Sequence, residues 1–160
     1  GQPALGMGLG ALWELLSLDA PIGGYLPINA TVAAGACLLM ALGDGAVSPE
    51  AAFPFGVAAG WSHRFLESFL RDRRAACAAR CERRLALGGA PGFGQTAAIE
   101  LAKQAFMTFC ILAAALMFRP SLAAAWPGAP ESVRGALSFG MSMSPWIGVV
   151  ALAHALRVTA

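Results

Sequence analysis

Only two charged residues, Glu14 and Asp19, interrupt the first 43 positions of this chain, and directly after them it reads Pro21-Ile22-Gly23-Gly24-Tyr25-Leu26-Pro27. An apolar segment with a Gly/Pro break and a buried acid has few ways to fold. In lipid, free backbone groups are tolerated only where protein or a water-filled cavity surrounds them. The rest of the chain points the same way. Hydrophobic residues make up 58% and charged residues 12%, with a mean hydropathy of +0.64, whereas soluble domains carry about 25% charged residues. So few charges cannot cover a water-facing surface. The expectation is an all-α, polytopic transmembrane helical bundle with a broken or re-entrant helix near the N-terminus. At roughly 20 residues per span, 160 residues allow about four or five crossings.

The net charge of +2 is unevenly spread. Six arginines between Arg71 and Arg84, against Asp72 and Glu82, give that segment +4 and leave −2 elsewhere. The patch has no interleaved aromatics and lies between apolar runs, which argues against nucleic acid. By the positive-inside rule, 71–87 reads as a basic cytoplasmic helix or loop. That orientation sends the next helix outward, leaves Arg119 to Arg134 outside, and returns Arg157 to the cytoplasm. Four cysteines do not make a secreted disulfide framework. Cys37 and Cys110 lie in apolar runs, and Cys77 and Cys81 are four apart with no further metal ligand nearby. The chain opens at Gly1 in mid-hydrophobic pattern, with no signal peptide visible, and reads as a truncated piece of a single membrane domain covering 1–160.

The helical segments follow from their breakers. Residues 4–18 are apolar, with Gly6, Gly8 and Gly10 suited to close helix contact. Asn29 or Thr31 can cap the next helix, which stops near Gly43-Asp44-Gly45. Ser48-Pro49-Glu50 has the form of a helix start. The helix it opens should run into the arginines, loosened at Pro54 and Gly56, and leave the membrane around Trp61, His63, Arg64 and Glu67. Gly88-Gly89-Ala90-Pro91-Gly92 breaks the chain. A helix over 94–118 should end at Arg119-Pro120, and a last one is expected over 133–157.

Glu14 is the strongest candidate for a functional role. A charged acid at mid-bilayer costs on the order of 3 kcal/mol, so such groups face a bundle interior or water. It could accept hydrogen bonds from a solute's hydroxyls while Trp13 offers a flat apolar face; a structural bond to another helix is the alternative. Asn29 can both donate and accept, to a solute or simply as a helix cap. Asp19 could orient or cap the loop. His63 with Arg64 and Glu67 could form a polar relay, but reads better as an interfacial anchor. His154 reads as a packing residue. No catalytic, metal or cofactor motif is visible, so an enzyme is not expected.

The run from Ala11 to Gly35, ALWELLSLDAPIGGYLPINATVAAG, resembles the IIC component of the mannose/fructose/sorbose family of phosphoenolpyruvate-dependent sugar phosphotransferase systems. Glu14 falls on that family's acid in a Gly-rich helix, and Asn29-Ala30 on its Asp/Asn-Ala pair; Ile28 departs from the small residue or proline common there. The match is looser through the helices at 50–70 and 94–118 and the Gly/Met-rich segment from Gly140. The resemblance implies a multi-pass sugar permease subunit of a bacterial cytoplasmic (inner) membrane, free of phosphorylation itself. It also implies Glu14, Asn29 and Trp13 around a hexose-type sugar. Its partners would be a IID membrane subunit and IIA and IIB cytoplasmic proteins, in an oligomer within the lipid bilayer. The arginine-rich stretch would then dock IIB or anionic lipid. Two other readings stand beside it: an assembly subunit packed through its glycine face, and a fragment of an ion-coupled secondary transporter.

Overall fold

The computed structural model describes residues 3–16, 28–89 and 92–158. Among them the chain is helical throughout, with no strand. Five α-helices follow in order: α1 (Pro3–Leu16), α2 (Ala30–Ala41), α3 (Pro49–Ala86), α4 (Phe93–Ala125) and α5 (Glu131–Val158), with a single 3-10 turn, Trp126–Gly128, before the last. The Gly/Pro break and Asp19 lie outside the described residues.

Helix lengths divide the fold in two. At 1.5 Å per residue, α1 and α2 reach only about 21 and 18 Å, while α3 and α4 reach about 57 and 50 Å. The short pair is antiparallel. Trp13 lies beside Ala33, and Leu9 joins Ala36, Cys37 and Met40 nearer the other end of α2. α2 is the centre of the bundle, touching α1, α3 and α4, and α5 packs on α1 and α3.

What brings α2 and α3 together is the absence of side chain. Ala33, Ala36 and Cys37 are fully buried on α2 and face a stripe of Ala52, Gly56, Ala59 and Gly60 on α3. A Cβ at Gly56 would sit 2.9 Å from the Ala33 carbonyl oxygen and 2.7 Å from Trp13 Cζ2. One at Gly60 would sit 3.1 Å from Ala33 Cβ. Small residues spaced by four allow such backbone approach. Gly148 of α5 does the same for α1, its Cβ position lying 2.6 Å from the Leu15 carbonyl oxygen.

α3 runs unbroken through Pro54 and the arginines, so the basic stretch is helix. It stops at Gly88, whose φ of +74° is a left-handed conformation; Gly88 N–H then donates to Leu85 and Gly89 N–H to Arg84, a paired closure typical of a glycine-terminated helix. α4 continues past Pro120, where an end was expected, to Ala125. A proline costs one backbone bond there, and the neighbouring Arg119 anchors that turn. Its guanidinium donates to the carbonyls of Leu39 (3.3 Å), Gly45 (3.1 Å) and Asp44, at the end of α2 and the loop after it. A cation on the last carbonyls of a helix also suits its dipole.

Many large apolar side chains stand on the outer surface. Phe65, Phe106, Phe109, Met117, Phe118, Trp146 and Val150 are all more than half exposed. One helix, Gly94–Gly128, is long and apolar enough to cross a membrane, with a mean hydropathy of 1.8 over its best window, of which 11% is buried. A soluble protein would hide such a helix in its core; here it faces outward. α2 is too short to cross, and the first half of α3 is diluted by Pro54, Ser62, His63 and Arg64. Among the described residues one span therefore meets the criteria of length and composition, against the four or five expected of the whole chain.

Candidate functional site at the tip of the short helices

The N-terminus of α2 begins beside the middle of α3 and α4, and Asn29 sits on it. Asn29 Oδ1 accepts from the Val32 N–H at 3.0 Å, capping the helix. That bond fixes the amide, so Nδ2 faces His63 Nδ1 at 3.4 Å. His63 is 3% exposed, and its Nε2 lies 3.1 Å from the Gln104 amide on α4. Three helices thus meet through one imidazole.

The tautomer follows from the cap. A neutral imidazole has one donor and one acceptor. With Asn29 donating to Nδ1, Nε2 carries the proton and donates to Gln104, whose amide must then present its oxygen. A half-turn of that amide brings in Gln104 Oε1, which otherwise lies buried without a partner. One turn along α3, Glu67 pairs with Arg74 and keeps its other oxygen buried. On α4, Glu100 pairs with Lys103 at 2.6 Å. A polar line therefore leads from the Asn29 tip towards the basic end of the bundle.

The other expected site residues are placed differently. Trp13 is 2% exposed, stacked on Phe53 with ring centroids 5.1 Å apart, and its ring fills the space over Gly56. It packs as a core side chain. Glu14, about 100° further round the helix, is exposed, so α1 does not turn the acid into the described interior as expected. Of the three, the structure brings only Asn29 into the polar cluster. His63 was expected as an interfacial anchor and is instead buried at a helix junction. Its signal was there: His63 continues the Ala52-Gly56-Gly60 stripe at helical spacing, and Gln104 does the same with Met107, Ile111 and Ala115 on α4.

Among the described residues Asn29 uses one N–H and one lone pair of its amide in these bonds, and the first-turn N–H groups of α2 lie at the same end. The arrangement can hold a neutral, hydroxyl-bearing solute by reciprocal hydrogen bonds. No family model, curated protein or solved structure matches the chain.

Proposed function

We propose that this chain is a multi-pass membrane subunit that binds and passes a polar solute, a hexose-type sugar, at the tip of the α1–α2 pair. One observation carries the reading. A half-length helix begins beside a buried Asn29–His63–Gln104 junction, between long helices whose outer faces are apolar. Half-helix termini at membrane depth, lined by polar groups, are where transporters hold substrates. The likeness of Ala11–Gly35 to a IIC sugar permease supplies the rest of the reading. In it, IIB phosphorylates the sugar at the basic cytoplasmic end of α3, IIA feeds IIB, and IID is the membrane partner, all in a bacterial inner membrane. Asn29 and His63 would meet the sugar, with Glu14 contributing from α1.

The test is equilibrium binding and phosphoenolpyruvate-dependent uptake of labelled hexoses in membranes carrying the Asn29→Ala and His63→Gln variants. Loss of binding with membrane insertion preserved is expected. Binding unchanged in both variants would refute the site. Uptake that ignores phosphoenolpyruvate but collapses with an uncoupler would replace the phosphotransfer reading with ion coupling. An assembly role is a second reading, favoured by the broad apolar face of α5 around Phe139, Trp146 and Ile147; there the same variants would weaken complex recovery instead.

A further inference from the structure

Between α3 and α4, towards the basic end, lies an open groove of about 550 Å³. Leu66, Phe69 and Leu70 form one wall, and Phe106, Cys110 and Ile111 the other. Its floor is apolar along its length, and Phe69 and Phe106 are more than half exposed. Among the described residues Lys103 is the one ionic side chain lining it.

The mouth differs from the floor. Arg73 is one turn beyond Phe69 on α3, and its guanidinium carbon sits 5.0 Å over the Phe69 ring, which draws the cation back to the groove. Lys103 lines the groove from α4. Among the described residues, Arg74 is held by Glu67 and Lys103 by Glu100, but neither ion pair uses Arg73. Above them the helix continues into Arg80, Arg83 and Arg84, so the field at this end is positive despite Asp72 and Glu82.

An apolar slot with cations at one end has the polarity of an anionic phospholipid. The geometry points to a bound glycerophospholipid of this class, with its phosphate between Arg73 and Lys103 and one acyl chain lying along Phe69, Phe106 and Ile111. The charge at the mouth selects the headgroup, and the groove distinguishes the site from lipid met at random on an apolar wall. A neutral transmembrane helix would fill the floor but leave Arg73 unmatched. The inference rests on the chain being embedded in a bilayer and is independent of which solute it carries.

The experiment is native mass spectrometry of the detergent-solubilised protein after exchange with phosphatidylglycerol or phosphatidylcholine of identical acyl chains. Wild type should retain phosphatidylglycerol preferentially, and Arg73→Gln with Lys103→Gln should cut that preference on the order of tenfold. Cys110→Trp, which fills the groove, should lower retention of both lipids. Circular dichroism on each variant, with Arg73→Lys restoring selectivity, separates lost binding from lost fold. Equal retention of the two lipids by wild type, or selectivity unchanged in the double variant, would overturn the site. So would a protein helix found cross-linked in the groove. A chain recovered in the aqueous fraction without detergent would instead remove the membrane reading beneath it.

Discussion

Gly56 is where a single methyl group should have the clearest effect. Its Cβ position lies 2.7 Å from Trp13 Cζ2, 2.9 Å from the Ala33 carbonyl oxygen and 3.3 Å from Cys37 Cβ. The indole could give a little, but it is wedged against Phe53, and the Ala33 carbonyl belongs to the helix backbone and cannot. Gly56→Ala must therefore push α2 away from α3. Overpacking costs ~1–3 kcal/mol, and the rigid Ala33 carbonyl at 2.9 Å puts this site in the upper part of that range, about 2–3 kcal/mol. Alanine's better helix propensity returns ~1 kcal/mol, leaving a net loss of about 1–2 kcal/mol. Gly140 of α5 is the matched control, since nothing lies within 4 Å of its Cβ position. There the propensity gain acts alone, and Gly140→Ala should stabilise by ~0.5–1 kcal/mol. The two variants should shift Tm in opposite directions in one detergent, by roughly 2–4 °C per kcal/mol. If both shift upward, or Gly56→Ala is neutral, the close α2–α3 crossing is wrong.

Two further substitutions test other parts of the packing. Trp13→Ala should cost ~3–5 kcal/mol, the range for a large buried aromatic, while Trp13→Phe should keep solute binding; binding lost in Trp13→Phe at unchanged Tm would return the indole to the solute site. Arg119→Ala should lower stability by about 1–2 kcal/mol, because charged hydrogen bonds to the Leu39, Asp44 and Gly45 carbonyls are lost at a partly hydrated end; Arg119→Lys should recover only part, since one ammonium cannot match the planar fork, and thermal unfolding of the pair reads both.

The parts of the fold that depend on neighbours in sequence were legible. The Asn29 cap, the Pro49 start and the Gly88 stop are each decided within a few residues, and the helices begin and end there. His63 was misplaced because Arg64 and Glu67 beside it look like a membrane boundary. Its partners lie 34 and 41 positions away, a pairing that no local pattern encodes. Pro120 reads as a stop because proline breaks helices, yet the tie from Arg119 across 80 positions to Leu39 belongs to the tertiary fold. Trp13 and Glu14, adjacent in sequence, part in the fold because neighbouring helical residues diverge by about 100°, so one enters the core and the other faces outward.

Both ends of α2 are held by side chains from other helices, and this is what a lipid environment demands of a short helix. Apolar surface alone gives little drive for helices to associate in lipid, so close packing and polar contacts must do it. Asn29, His63 and Gln104 satisfy one end, Arg119 the other, and between them α2 crosses α3 closely on Gly56 and Gly60. Parting α2 from α3 would uncover two polar ends at once, so on the proposed function a solute at the Asn29 tip would bind without separating them. α1 joins this frame by packing: Leu9 clusters with Ala36, Cys37 and Met40, Trp13 stacks on Phe53, and Leu15 meets Gly148 of α5.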